Sequence, residues 1–397
     1  MPGFLSLVAC CRYDDRMSGI LILGTGLAGY TLAREFRKLD ATTPVHLLTA
    51  NSGCYYSKPS LSNALAQNKD AAQLVLNTGE QMAAQLRAQV TTHVRATSID
   101  TASHTVCTSK EIYRYEKLVL AIGADPIRID IGGDGAADIV SVNNLDDYAR
   151  FRERLANSRR VAILGGGLIG CEFANDLRAV GIDVAVVDPG PTPLARFLPA
   201  PCGRFFQKAL EGAGVHFHLG TTVQSITRQT RGLRLTLTSG ISLEADLVLS
   251  AVGLRPNTRL ASESGIQIAR GIAANRFLAT SSPDVYTLGD CAEIEGLHLP
   301  FVMPIMQAAR ALAGTLSGTP TAVHYPAMPV VVKTPACPTV LCPPPPGVDG
   351  VWSEEDAGDG IRALFHDSSG NVRGFALTGN ATQAKQSLLK EMPALLN

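Results

Sequence analysis

Ile20-Leu21-Ile22-Leu23-Gly24-Thr25-Gly26-Leu27-Ala28-Gly29-Tyr30 decides the fold. An apolar run of strand length meets a G-x-G-x-x-G turn that opens directly into a helical stretch, Leu27 to Leu39. Each glycine has a physical task. Gly24 permits the tight turn, Gly26 lets backbone approach a pyrophosphate, and Gly29 lets the helix lie close on the strand. The helix start, with Leu27 and Ala28 in its first turn, offers free N–H groups and the positive end of a dipole to phosphate. A lone glycine turn carries little weight, but this one has a second copy. Val161-Ala162-Ile163-Leu164-Gly165-Gly166-Gly167-Leu168-Ile169-Gly170 repeats the pattern, followed by a helix to Val180 and a strand from Asp183 to Asp188. Two dinucleotide cradles in one chain imply one bound redox cofactor and one diffusing one.

Composition sets the bounds. The chain of 397 residues is long enough for two or three domains, and its 46% hydrophobic and 18% charged residues describe an ordinary globular protein. Formal net charge is zero, which argues for neither nucleic acid nor an anionic membrane as partner. No apolar run approaches the roughly 20 residues of a membrane span. Nine scattered cysteines in a chain this size suggest no disulfide framework, and so a reducing cytoplasm. Residues 1–16 lack the positive-then-apolar order of a signal peptide. They read as a disordered or mis-assigned leader ahead of Met17, with Cys10-Cys11 as a metal or lipid site the lesser reading.

After the first helix, Pro44 to Thr49 reads as the second strand of a βαβ unit. The acidic residue that often holds a ribose there is replaced by Thr49, Ala50 and Asn51. A Gly/Ser/Pro-dense loop follows from Ser52 to Ser62, including Ser57, Lys58 and Pro59. Lys117 to Ala124 is a buried-type strand ending in Ala121-Ile122-Gly123, small enough for a ligand to approach. In the second unit, Asp188 lies about twenty residues past the glycines, where a carboxylate takes ribose hydroxyls and repels a 2′-phosphate; NADH is favoured over NADPH. Ala245 to Asn257, containing Val252-Gly253, echoes the Ala121 strand. Thr280 to Asp290 ends on Gly289-Asp290 at a strand's carboxyl end, where ligands of open α/β sheets bind. A helix opens at Val302-Met303-Pro304. From about Pro326 the pattern changes to short strands, a proline run, a hairpin around residues 367–371 and a closing helix from Ala381 to Leu389.

These motifs, in this order, resemble the FAD-dependent pyridine-nucleotide disulfide oxidoreductase family, in its branch without a redox disulfide. The resemblance rests on residues 24–30, Tyr56 to Ser62, Gly166 to Ala174, Ser250 to Pro256, Leu288 to Glu293 and, most specifically, Val332-Lys333-Thr334-Pro335-Ala336-Cys337-Pro338. It implies an α/β fold: two Rossmann-like domains, for FAD (17–125 and 251–325) and NAD (126–250), and a small α+β domain (326–397). It further implies that the first glycine loop holds the FAD pyrophosphate, Asp290 the ribityl chain, and the 302 helix the flavin's N1 edge. Lys58 is expected beside the flavin N5 and Glu172 near the nicotinamide, close enough to pair with each other.

The implied activity is NADH oxidation, with electrons leaving singly to rubredoxin and onward to an alkane hydroxylase. Flavin is suited to convert hydride into single electrons. Reduction of ferredoxin, oxidase activity and an NADH-sensing role remain as alternatives. Cys54 is the only thiol near Lys58, too few for a disulfide reductase; a sulfenate role is a minor reading. Cys171, Cys202 and Cys291 read as small core residues. Cys337 and Cys342 have C-x₄-C spacing without a second pair or histidines, so no metal is expected. Arg34, Arg37, Lys38, Arg310 and Lys333 read as solvated charges rather than as a basic docking rim.

Overall fold

The structure is a computed structural model that describes residues 12–397. A seven-stranded sheet forms the first unit. Gln89–Thr91, Val45–Leu48, Arg12–Leu23 and Glu111–Leu120 lie side by side in parallel, and Val285–Thr287 adds in parallel to the far edge of Glu111–Leu120. Thr105–Thr108 and Ala96–Asp100 complete the sheet as an antiparallel extension. Strand order reverses direction around Arg12–Leu23, so the crevice beyond its carboxyl end is where a ligand of such a sheet sits. That strand begins at Arg12, so Arg12, Tyr13 and Asp14, expected in the leader, are paired with Glu111, Ile112 and Tyr113; residues 1–11, with Cys10 and Cys11, lie outside the described part.

The helix Leu27–Leu39 packs one face on this sheet because Tyr30, Leu32, Ala33 and Phe36 recur at helical spacing, and all are buried. Arg37 and Lys38 occupy its last turn, where the dipole favours cations. The helix Val302–Leu316 lies beside it in the same core.

A second parallel sheet runs Val215–Leu219, Asp183–Asp188, Arg160–Leu164, Leu247–Ser250. It carries an antiparallel three-stranded flap, Val223–Arg228, Leu233–Leu237 and Ser242–Ala245, for which the sequence reading made no provision. The chain enters this unit along Ala124–Pro126 and leaves along Leu254–Pro256, which pair antiparallel as a two-stranded hinge. The closing unit is a five-stranded antiparallel sheet ordered Val330–Val332, Thr339–Cys342, Val372–Thr378, Ile361–Asp367, Gly350–Asp356. Its hairpin turns at Asp367, as expected, but the closing segment splits into a 3₁₀ turn, Gly379–Ala384, and a short helix, Lys385–Glu391.

One packing feature positions the site. Leu61, Ala64 and Leu65 belong in sequence to the first unit but are buried with Cys171, Phe173 and Ala174 of the helix Leu168–Ala179 and with Val332 and Leu341 of the closing sheet. The three units therefore share one apolar core. Burying the Leu, Val and Phe side chains among them is worth about 1.5–3 kcal/mol each.

Candidate functional site

At the first cradle the glycines behave as their spacing requires. Gly24 sits at φ +118°, and a Cβ there would strike the Ala121 carbonyl; a Cβ on Gly29 would strike the carbonyl oxygen of Gly24. Gly26 is different: nothing lies within 4 Å of its virtual Cβ, and no side chain caps the helix that starts after it. Backbone thus frames an open concavity with helix N–H groups facing it, which fits a pyrophosphate. Thr25 is buried. The Tyr30 hydroxyl donates to the Gly53 carbonyl (2.5 Å), holding the 51–57 loop beside the cradle. Thr49 spends its hydroxyl proton on Asn51 Oδ1 (2.8 Å), and that oxygen also accepts the Gly53 N–H (3.0 Å). Thr49 therefore has only acceptor capacity left to offer, with Ala50 exposed after it.

Around the same crevice stand Ala121-Ile122-Gly123 and Gly289-Asp290. Gly123 (φ +66°) has no atom within 4 Å of its virtual Cβ, and a Cβ on Gly289 (φ +88°) would lie 2.8 Å from Ala28 Cβ, so only glycine fits. His298, which the sequence reading passed over, engages the Asp290 carbonyl through Nε2 (3.1 Å), while its buried Nδ1 has no partner. A lone histidine in a loop carries no local signal; only folding brings it here. The helix Val302–Leu316 begins without a side-chain cap, with Val302 and Met303 40% and 48% exposed. Large apolar side chains left open at an uncapped helix start suit the edge of a flat aromatic group that gains negative charge.

Lys58 begins a 3₁₀ turn, Lys58–Asn63, after Ser57 and with Pro59 at its second position. Its ammonium lies 3.9 Å from Asp290 Oδ2. Burial lowers its pKa from the usual 10.5, opposed by Asp290, Asp125 and Asp147.

The second cradle repeats the first. Gly165 (φ +106°) would place a Cβ 2.7 Å from the Ala251 carbonyl oxygen, Gly170 would meet the Gly165 carbonyl, and Gly167 is open. Leu168 and Ile169 form the first turn of an uncapped helix, Ile169 being exposed, with Val252-Gly253 (φ +118°) opposite, after the strand Leu247–Ser250. Asp188 accepts the Gly166 N–H on Oδ2 (2.6 Å) and the Gly190 N–H on Oδ1 (2.7 Å), which anchors the carboxylate at the strand end.

Glu172, one turn into that helix and 6% exposed, departs from expectation. It pairs with Lys333 and not with Lys58. Its Oε2 lies 2.5 Å from Lys333 Nζ and accepts the Ser62 hydroxyl (2.5 Å), while Oε1 accepts the Lys333 backbone N–H (3.1 Å). Lys333 Nζ also donates to Ser62 Oγ (2.9 Å) and the Pro59 carbonyl (2.5 Å). The reason is packing: the closing sheet inserts Lys333 into the gap between the Lys58–Asn63 turn and the second cradle's helix. Lys333 is thus no solvated charge. Nor is Arg37, whose guanidinium donates to the carbonyls of Leu86, Asp40, Thr43 and Arg87. Arg34 lies over the Tyr55 ring, Lys38 pairs with Glu35, and Arg310 is exposed.

Cys171, Cys202 and Cys291 are fully buried, as expected of core residues, and burial raises all three thiol pKa values. Cys337 and Cys342 are buried too. Among the described residues no group of three or more His, Cys, Asp or Glu side chains is placed to hold a metal, and no helix is long and apolar enough to cross a membrane.

Residues 18–315 match the pyridine nucleotide-disulphide oxidoreductase family, and residues 322–392 match the rubredoxin binding C-terminal domain. The chain is 49% identical over 390 residues to the rubredoxin-NAD(+) reductase of Acinetobacter baylyi, covering 96% of this chain and 99% of that one. It is 45% identical over 381 residues to the Alcanivorax borkumensis protein of the same name, covering 96% and 100%. Among solved structures, the ferredoxin reductase for the CYP199A2 system of Rhodopseudomonas palustris superposes with TM-score 0.85 at 25% identity, covering 95% of each chain.

Proposed function

The chain belongs to the pyridine nucleotide-disulphide oxidoreductase family and carries a rubredoxin-binding domain at its end, and from that premise we propose that it passes electrons from NADH through FAD to rubredoxin. The observation that carries this is the pair of like-built glycine cradles joined to a closing domain of the rubredoxin-binding kind, with a single cysteine, Cys54, near Lys58. Bound FAD supplies the conversion the reaction needs, accepting two electrons together and releasing them one at a time.

The protein's part is binding, orientation and electrostatics. In this reading the Gly24–Gly29 turn, Thr49-Ala50 and Asp290 hold FAD, and Ala121-Ile122-Gly123 and Gly289 leave room for it. Lys58 and the start of the Val302–Leu316 helix present positive potential to the flavin edge, which favours its reduced, anionic form. The turn Gly165–Gly170 and Asp188 hold NADH, with Val252-Gly253 opposite and Glu172 at the meeting of the two sites. Residues 17–125 with 251–325 form the FAD unit, 126–250 the NADH unit, and 326–397 the docking unit. A cytoplasmic setting agrees with the free thiols of the described cysteines. An alkane hydroxylase is the proposed consumer of the reduced rubredoxin.

Stopped-flow mixing tests the assignment. NADH should bleach the flavin, and rubredoxin should restore its colour much faster than ferredoxin or oxygen does. Equal rates with oxygen would overturn it.

A further inference from the structure

The Glu172–Lys333–Ser62 cluster joins all three units at one buried point. Ser62 lies in the same 3₁₀ turn that Lys58 opens, and Lys58 reaches toward Asp290 beside the first cradle. Glu172 sits on the helix that the second cradle begins. Lys333 follows the edge strand Val330–Val332 of the closing sheet. The cluster therefore lies between the two nucleotide sites, and its cation comes from the unit that binds the acceptor.

The carboxylate is nearly saturated. Two oxygens offer about four acceptor positions, and three are taken by Lys333 Nζ, the Lys333 N–H and the Ser62 hydroxyl. One acceptor position is left, with its direction fixed by the other three. We propose that Lys333 is a positioning residue that aims this remaining acceptor of Glu172 at an N–H or O–H donor of the pyridine nucleotide, so that the acceptor-docking unit sets how tightly the donor is held. The inference rests on placing NADH at the second cradle. Without Lys333 a buried carboxylate is left unpaired, a costly arrangement that rearranges to find another donor.

The test uses the holoenzyme of the parent and of Glu172→Gln, Lys333→Met and the double variant. NAD⁺ binding is followed at equilibrium by the flavin difference spectrum, and turnover is followed with ferricyanide, a small acceptor that needs no docking. Lys333→Met should weaken NAD⁺ binding about tenfold and raise the KM for NADH alike, with kcat changed less than about twofold. Because the lysine acts through the glutamate, the double variant should bind no more weakly than Glu172→Gln alone. Additive losses, or unchanged affinity in Lys333→Met, would overturn the proposal. If Lys333→Met does not fold, the double variant, which leaves no unpaired buried charge, still decides the matter against Glu172→Gln. Absence of any spectral response to NAD⁺ in the parent would instead strike the placement of the nucleotide, and the inference with it.

Discussion

Lys58 Nζ lies 3.9 Å from Asp290 Oδ2, so the lysine is held by the carboxylate at the end of the first sheet while Lys333 occupies Glu172. Two cations thus engage two different carboxylates. In the proposed reading Lys58 is left to act on the flavin side, where positive charge beside a group that becomes anionic speeds its reduction.

Lys58→Met should slow flavin reduction by NADH on the order of a hundredfold, the size typical of removing one preorganised electrostatic partner. NAD⁺ affinity should stay near that of the parent. Single-turnover bleaching of the flavin and an equilibrium titration separate the two; loss of NAD⁺ binding alone would contradict the assignment.

Gly26 and Gly29 differ in what a side chain would meet. Gly26→Val projects into open space at the cradle, whereas Gly29→Val drives into the Gly24 carbonyl. The first variant should keep parental secondary structure by circular dichroism but purify with little flavin. The second should lose both, since overpacking against backbone commonly costs 1–3 kcal/mol or more.

The Asp188 oxygens hold the N–H groups of Gly166 and Gly190, and in the proposed reading its charge faces a ribose. Asp188→Asn removes the charge and keeps an acceptor. The kcat/KM for NADH should fall on the order of tenfold, in line with about 1.5–3 kcal/mol for a hydrogen bond to a charged group. NADPH should lose less, because a repulsion is relieved. Steady-state kinetics with both nucleotides give the ratio.

Asp367 closes the hairpin of the last sheet. The Arg373 guanidinium, then the Asn371 N–H, lower its carboxyl pKa from 3.8 to about 2. A depressed carboxyl pKa contributes stability above the unfolded value and loses it as pH falls through the folded one. Asp367→Asn should therefore lower Tm near neutral pH, and the gap from the parent should close between pH 3.8 and about 2. A gap that stayed constant over that window would refute the linkage.

Much of this was legible locally. Turn chemistry acts over a few residues, so Gly24, Gly26 and Gly29, and their counterparts Gly165, Gly167 and Gly170, could be assigned tasks from spacing; the structure shows the positive-φ turn at Gly24 and Gly165 and the close approach at Gly29 and Gly170. The hairpin around Asp367 was equally plain, because five turn-forming residues separate two β-type runs. The flap from Val223 to Ala245 was missed, its strands being short and half-exposed. The last helix was read too early, since the 3₁₀ turn at Gly379–Ala384 uses residues that a helix would also accept.

The sequence by itself determined the two nucleotide cradles, their order, and the kind of chemistry two such sites support, because backbone turns and helix starts are properties of adjacent residues. Tertiary structure alone decided which charges meet. Glu172 and Lys333 are 161 residues apart and belong to different units. Charge pairing depends on which surfaces pack together, and the shared core of Leu61, Phe173 and Leu341 brings Lys333 to the glutamate and leaves Lys58 to Asp290.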